Sequence, residues 1–268
     1  MSDDPITYLK RLGESGSGPH DIARAALMLA ALDHAKTPLT PYLEHLQQIE
    51  DVMRAQCDVL RDAKEGARAV ARLLVDRLGY DGDRLEYDSP KNADLISVID
   101  RRRGLPVALG ILYLHAARAA GMRADGLNAQ SHFVLRLSHR GDEAIVDPFN
   151  GGQTVDREHV PVELRADDAG LAQPVSDTDV LLRLSNNLKV RALHAGDHDR
   201  AVELTRRMVL LAPRRADLWF DLARLNEAAG VLRAARNAYE TCLELAPPGQ
   251  GFHNEAAISL SQLKRRLN

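Results

Sequence analysis

The chain has 268 residues, 45% of them hydrophobic, which is enough to bury the core of one large domain or two ordinary ones. Its 35 basic and 38 acidic residues nearly cancel, so the net charge of -3 does not draw the whole protein to nucleic acid or anionic lipid. No apolar run approaches the ~20 residues of a membrane span. The first residues are acidic where a secretory signal is basic. We therefore expect a cytoplasmic protein that binds neither nucleic acid nor membrane.

A helical pattern runs through the first 80 residues. Apolar residues recur at helical spacing in "GPHDIARAALMLAALDHA", "TPLTPYLEHLQQIEDVM" and "AKEGARAVARLLVDRLG", and the last of these segments ends at Gly79, as a helix C-cap does. The following "YDGDRLEYDSPKNAD" has the turn-forming composition of a long irregular connection. We predict several amphipathic helices, then a loop, then a short helix in "ADLISVIDRRRG".

The segment "RRRGLPVALGILYLHAARAAG", residues 101–121, predicts a buried helix. It is apolar nearly all the way round, and a helix of that kind forms in a globular protein only where it can be buried. Pro106 suits the first helical position because its missing N-H would have no partner there. The preceding Arg101, Arg102 and Arg103 are open to two interpretations: a solvated helix end or a rim that binds an anion.

The pattern changes to strands after Gly121. "MRADGLNA" predicts one strand, and "SHFVLRL" and "EAIVDPF" predict an antiparallel hairpin over residues 131–149, with "SHRGD" as its turn. A turn of two or four residues pairs positions whose numbers have an odd sum, such as His132 and Asp147. These two side chains would then project from the same face of the sheet.

The last 90 residues repeat themselves with a period of 34. Three residue pairs have this separation: Gly196 with Gly230, Ala201 with Ala235, and Pro213 with Pro247. Such a period resembles the tetratricopeptide repeat (TPR), a helix-turn-helix unit that stacks into a grooved solenoid. Two repeats bury too little surface alone, so we expect "NEAAISLSQLKRRL" to form a capping helix.

The layout of the middle region is similar to that of papain-like and transglutaminase-like sites. The segments "LISVIDRRRGLPVALGILYLHAARAAGM", "SHFVLRL" and "VDPFNGG", followed by TPR-like repeats, resemble the bacterial SirB-type family, a transglutaminase-like domain with a TPR tail. The resemblance covers nearly the whole chain. Enteric members of that family are described as regulators of SirC expression, so the resemblance implies a regulatory role.

The resemblance assigns positions to the site. Gly104 matches the Gly of the superfamily's G-x-C motif, His132 its His and Asp147 its Asp, whereas the nucleophile position falls on Pro106, or on Val107 if the alignment slips by one. In active relatives a Cys there gains reactivity from the helix N-terminus, and the His completes an ion pair with it. The match implies that the thiol is lost and that His132 and Asp147 are a relic or candidate catalytic pair.

Other interpretations of these residues are open. His132 can bond a backbone carbonyl, and Asp147 can be a turn residue before Pro148. A serine triad with Ser131 is disfavoured because consecutive strand residues face opposite sides. No ligand spacing supports a metal site with His115, and we expect no cofactor.

The repeats predict the positions that line a TPR groove and contact a protein or peptide partner. An ordinary packing surface is the competing interpretation. The predicted positions are Arg183, Asn186 and Val190 in the first repeat and Asp217, Phe220 and Arg224 in the second.

We expect an α+β fold with four parts: a helical region over 1–80, a transglutaminase-like core over 81–165, a linker over 166–180 and TPR-like helices over 181–268. The two cysteines, Cys57 and Cys242, lie in helical patterns without disulfide or zinc spacing. The favoured function is non-catalytic protein-protein interaction. The alternative is a thiol-independent amide hydrolase in which His132 activates a water molecule and Asp147 orients the His132 imidazole.

Overall fold

A computed structural model describes residues 4–16, 18–128, 133–155, 174–249 and 251–267. The chain divides into two compact units. The first unit comprises Met1–Tyr8 and Ser17–Leu184, and the second comprises Leu9–Gly16 and Ser185–Asn268. None of the described helices is both long and apolar enough to cross a bilayer.

Helices dominate the part of the chain before the sheet, as the periodicity predicts. Carboxylate caps begin several of them: Asp21 accepts the backbone N-H of Arg24, Asp62 that of Glu65 and Asp94 that of Ser97. A π-helical turn over Arg72–Arg77 extends the fourth helix. The helices are α1 (Pro5–Glu14), α2 (Ile22–Ala31), α3 (Thr40–Arg54), α4 (Ala63–Ala71), α5 (Leu95–Arg101) and α6 (Pro106–Ala119).

Two sheets accompany these helices in the described residues. Strands β1 (Asp81–Gly82) and β2 (Arg103–Gly104) form a short parallel pair. The larger sheet is antiparallel in the order β3-β4-β5-β6. A two-residue turn, Arg140-Gly141, joins β4 to β5, and both residues have positive φ, as a type I′ hairpin turn requires. The strands are β3 (Arg123–Asn128), β4 (Phe133–His139), β5 (Asp142–Asp147) and β6 (Gln153–Val155).

Helix α6 is the centre of the first unit. Its residues from Val107 to Leu114 are all buried, because α2, α3 and α4 cover one side and β3 and β4 cover another. Gly110 permits the close approach of β4: a Cβ atom there would overlap the Phe133 ring. At ~1.5–3 kcal/mol for each buried aliphatic side chain, α6 contributes a large share of the hydrophobic stabilisation of the unit.

The open edge of the larger sheet is covered at β3. The Val175 N-H donates to the Gly126 carbonyl, and Arg118 donates to the Ala124 carbonyl through Nε (3.2 Å) and Nη2 (2.9 Å). Arg118 also pairs with the Asp177 carboxylate at 2.8 and 2.7 Å. A cavity of about 570 Å³ lies beside this ion pair.

The described residues after 176 form only helices, arranged as the 34-residue period predicts. Gly196 and Gly230 both have φ of 74° and occupy equivalent turns between the two helices of a repeat. The buried Ala201 and Ala235 lie at equivalent helix crossings. The helices are α7 (Asp177–His194), α8 (His198–Leu211), α9 (Ala216–Ala228), α10 (Leu232–Leu245) and α11 (Gly251–Leu267).

The α+β fold class, the buried helix after Gly104, the three strands and the terminal helix are confirmed. The placement of Cys57 inside a helix is wrong. Helix α3 ends at Arg54, and Cys57 lies in the turn that follows, where its N-H donates to the Arg54 carbonyl.

Candidate functional site

The amino end of α6, where the sequence match places the nucleophile, carries no nucleophilic side chain. Leu105 is its N-cap in an extended conformation, and the half-buried Pro106 is the first helical residue, with no side-chain cap. The Leu105 N-H donates to the Asn92 carbonyl at 2.9 Å, which fixes the direction in which the chain enters the helix. Neither Pro106 nor Val107 has an ionisable or nucleophilic atom at this position.

A buried polar network supports this helix entry. Arg101 pairs with the Asp83 carboxylate at 2.7 Å and donates to Asn92 Oδ1 at 2.9 Å. Asp83 also accepts the N-H groups of Leu85 and Glu86, while Asn92, which is fully buried, donates to the Glu86 carbonyl. These bonds lower the pKa of the Asp83 carboxyl, the Glu86 N-H being the largest cause and Arg101 a further one. The network ties the loop over 83–92 to the start of α6.

The arginine run bonds mostly to the protein itself: Arg101 and Arg102 are half-buried, whereas Arg103 is exposed, as a solvated helix end would be. Arg101 belongs to the network above. Arg102, the left-handed C-cap of α5 with φ of 56°, lies over the Tyr80 ring and donates to His45 Nε2 at 2.9 Å and to the Tyr80 hydroxyl. Arg103 donates to the Gly79 and Arg102 carbonyls.

Burial and the neighbouring Arg102 charge lower the pKa of His45 to about 4. Its Nε2 atom accepts from Arg102 and lies 2.8 Å from the Tyr80 hydroxyl. The imidazole is therefore neutral near neutral pH, with Nε2 as an acceptor.

Both oxygens of the Asp147 carboxylate accept hydrogen bonds from the loop that follows it. Oδ1 accepts the N-H groups of Phe149 (2.9 Å) and Asn150 (3.2 Å), and Oδ2 accepts the Asn150 side-chain amide at 2.7 Å. The Gly152 N-H donates to the Asp147 carbonyl. This geometry is that of an Asx turn, the competing interpretation of Asp147 from the sequence.

His132 lies outside the described residues, as do Ser131 and residues 166–173 of the expected linker. The hairpin register pairs Leu135 with Val146. Continuing this register by one residue sets Asp147 opposite Val134, two positions from the expected partner. The pairing of His132 with Asp147 therefore stays a prediction.

Cys57 lies at the other end of α6 from Pro106, and Cys242 belongs to the second unit. Cys57 Sγ is next to Gly121, at the opposite end of α6: a Cβ atom on Gly121 would lie 2.7 Å from it. Cys242 is fully buried in α10, where burial raises the pKa of its thiol. His115, the third residue of the disfavoured metal site, has Nε2 3.0 Å from the Leu46 carbonyl.

An aromatic surface lies beside the hairpin. The Arg183 guanidinium is 5.7 Å from the centre of the Phe133 ring, and burial lowers the pKa of Arg183. Tyr87 packs edge-on against Phe149 at 5.8 Å, and Arg84 lies over the same Phe149 ring. Arg183 was predicted to line the TPR groove, but it belongs to the first unit and contacts strand β4.

The other predicted groove positions lie in the second unit. Asn186 and Val190 are half-buried on α7, and Asp217 is bound by Arg215 at 2.9 and 2.7 Å. Phe220 is only 8% exposed because it packs against Tyr239 and Phe252. Arg224 is exposed, with its guanidinium 5.8 Å from the Phe220 ring centre.

Comparison with known proteins decides the family. The profile of the Transglutaminase-like superfamily matches residues 40–186, more than half of the chain, and a tetratricopeptide repeat profile matches residues 188–268. The chain belongs to the transglutaminase-like superfamily. It is a superfamily member in which a TPR segment follows the domain.

Relatives of this superfamily member occur in bacteria and, over a shorter stretch, in animals. A UPF0162 protein from Xylella fastidiosa (strain 9a5c) is 29% identical over 232 residues, 83% of each chain. A UPF0162 protein from Vibrio cholerae is 34% identical over 126 residues, 45% of this chain and 46% of its own. F-box only protein 21 from Mus musculus is 34% identical over 82 residues, 31% of this chain and 13% of its own.

Sequence reasoning missed the network of Asp83, Asn92 and Arg101. The polar residues before the helix entry were interpreted as loop composition alone. Arg101 lies 9 positions after Asn92 and 18 after Asp83, and such separations give no periodic signal in the sequence. The one available cue was the presence of Asp83 and Asn92 on either side of Pro90 in an irregular segment. These hydrogen bonds connect the loop over 83–92 to the segment that leads into α6.

Proposed function

We propose that this chain is a non-catalytic member of the transglutaminase-like superfamily that acts by binding other proteins, with a regulatory role. The observation that carries the proposal is Pro106 at the first position of α6. A thiol there would be activated by the unpaired N-H groups of the first helical turn. Proline has no nucleophile, and it also lacks the backbone N-H that could stabilise an oxyanion.

The surroundings of Asp147 support the same conclusion. An ionised carboxylate has about four lone-pair sites, and one that orients a catalytic imidazole uses one of them for the ring N-H. In Asp147, Oδ1 accepts the N-H groups of Phe149 and Asn150, and Oδ2 accepts the Asn150 amide. These bonds give Asp147 a structural role in the turn after β5 that does not depend on His132.

The positions of the cysteines also support a non-catalytic role. Helix α6 has 14 residues and is therefore ~21 Å long, and Cys57 lies beyond its far end. Cys242 is buried between helices of the second unit. Neither thiol can replace a nucleophile at position 106 without large rearrangement.

The first test is enzymatic and uses the full chain with glutamine-containing peptides. We expect no release of ammonia or amine above that of a His132→Ala variant. Turnover that disappears in His132→Ala but survives in Cys57→Ser/Cys242→Ala would overturn the non-catalytic assignment and favour thiol-independent hydrolysis.

The second test concerns binding. A photo-cross-linking amino acid placed at Asn186 or Asp217 of the full chain, in cells that express it, should give a covalent adduct with another protein. The matched control is Val59, a 68% exposed side chain of the first unit. Adducts of equal yield from Val59, or none from the two TPR positions, would contradict the binding role.

A further inference from the structure

Helix α9 has three carboxylates, and each is already paired with a cation. Asp217 accepts hydrogen bonds from Nε and Nη2 of Arg215. Asp221 accepts the buried Lys189 ammonium at 2.9 Å. Glu227 pairs with Arg266 at 3.0 Å and accepts the Tyr239 hydroxyl at 2.9 Å. The negative charge of this helix is therefore compensated from within the second unit.

Arg224 is the exception on this helix. Asp221 and Glu227 lie three residues before and after it, a spacing at which helical ion pairs commonly form. In the described part of the chain both carboxylates are instead paired elsewhere, and Arg224 forms no ion pair. Its guanidinium lies over the Phe220 ring, which holds the side chain in place while its N-H groups stay available.

The face that presents Arg224 is shared by the first helices of successive repeats. Lys189 and Asp221 connect α7 to α9, and Phe220 and Phe252 connect α9 to α11, their ring centres 6.1 Å apart. Arg224 therefore projects from the side of α9 that carries Phe220, next to the Phe220–Phe252 ring pair. A ligand bound there meets one uncompensated positive charge and an apolar base.

We propose that Arg224, which lies over Phe220 next to the Phe220–Phe252 ring pair, binds an acidic side chain from an internal segment of a partner protein. The guanidinium would hold the carboxylate through two parallel N-H bonds, and a neighbouring apolar side chain of the partner would cover Phe252. The inference rests on the proposed binding role of the second unit and specifies the chemistry that this unit recognises.

Charge complementarity selects this occupant. A basic segment would place its cation next to Arg224 and would find the carboxylates of Asp217, Asp221 and Glu227 already paired. A neutral segment would leave the Arg224 charge without a partner while covering it from water, which is costly. An acidic side chain avoids both penalties.

The test uses the full chain and a fluorescein-labelled peptide of repeated Glu-Leu with an amidated C-terminus, followed by fluorescence anisotropy. We expect saturable binding that weakens as salt is raised and falls ~tenfold in Arg224→Gln. Arg233→Gln is the matched control, because Arg233 is an exposed arginine on α10, the second helix of its repeat. Circular dichroism checks that both variants remain folded.

Two further peptides test whether the bound group is an acidic side chain, a C-terminal carboxylate or a basic side chain. A Gln-Leu peptide with a free C-terminal carboxylate and an amidated Lys-Leu peptide should both bind at least ~tenfold more weakly than the Glu-Leu peptide. The proposal is overturned if the Gln-Leu peptide binds equally well, if the Lys-Leu peptide binds better, or if Arg233→Gln weakens binding as much as Arg224→Gln. Cross-linking at Asn186 or Asp217 without Glu-Leu binding would remove this inference alone and leave the binding role intact.

Discussion

Cys57 Sγ lies against Gly121 so closely that a Cβ atom at Gly121 would be 2.7 Å from it. Gly121 has φ of 75° and follows the last turn of α6, so its left-handed conformation also disfavours any side chain. The thiol is thus a packing atom at the carboxyl end of the helix whose amino end carries Pro106.

Gly121→Ala should be more destabilising than an alanine at an equivalent helix end. The control is Gly79→Ala: Gly79 has φ of 77°, but nothing lies within 4 Å of a Cβ atom there. We expect a loss of ~1–2 kcal/mol for the control, from backbone strain. Gly121→Ala should lose ~1 kcal/mol more, from overpacking.

Urea unfolding measures both values, and addition of Cys57→Ala to Gly121→Ala should recover the difference. Equal losses for the two glycine variants would show that the Cys57 contact has no energetic weight.

Pro106→Cys should restore a reactive thiol. The new Cys would lie at the first position of α6, where the helix dipole lowers the pKa of a thiol. In a Cys57→Ser background we expect iodoacetamide to alkylate position 106 several-fold faster at pH 7 than it alkylates Cys57 in the unmodified chain. Mass spectrometry of tryptic peptides measures both rates. A slower reaction at position 106 would mean that the amino end of α6 is not an activating environment.

Asp83→Asn should destabilise the protein more than Asp81→Asn. Asp83 pairs with Arg101 in a buried network, and its loss leaves a partly buried guanidinium without its carboxylate, at ~2–3 kcal/mol. The pair of Asp81 with Arg84 is exposed on both sides and should contribute under ~1 kcal/mol. Thermal and urea unfolding compare the two variants. Similar losses would contradict a structural role for the network at the entry to α6.

His45 should make stability depend on pH between about 6.5 and about 4. Its folded pKa of about 4 lies below the ordinary value of 6.5, so the unfolded chain binds more protons in this interval. The contribution of His45 is therefore fully present above pH 6.5 and declines as the pH falls towards 4.

The control is His45→Gln, which keeps an acceptor for Arg102 and removes the titration. Its unfolding free energy, measured in urea at pH 7.5 and 5, should fall less on acidification than that of the unmodified chain. Identical pH dependence in the two proteins would show that His45 does not titrate in this way.

The sequence predicted the elements that a local residue pattern specifies. The all-round apolar pattern after Gly104 predicted buried α6, the turn composition of "SHRGD" predicted the hairpin, and the spacing of Gly196 and Gly230 predicted the repeats. In each case one local pattern determines one local structure, so no knowledge of distant contacts is needed.

Contacts between distant segments were not predictable in this way. Arg183 is spaced from Asn186 and Val190 so that the three share one helix face, which predicted a groove position for it. Its guanidinium instead lies over the ring of Phe133, 50 positions earlier. Phe220 was placed on the groove face, yet the rings of Tyr239 and Phe252 bury it. Helical periodicity gives the direction of a side chain from its own axis and does not tell which other element lies there.

The hydrogen bonds that cover strand β3 prevent this sheet edge from pairing with a second molecule of the protein. With the Gly126 carbonyl bonded to Val175 and the Ala124 carbonyl bonded to Arg118, these outward acceptors cannot pair with a strand of a second molecule. The Arg118 part of this cover depends on the Asp177 carboxylate, which fixes the guanidinium. Loss of that one acid would thus do more than remove an ion pair: it would free the Ala124 carbonyl at the sheet edge and favour aggregation through that edge.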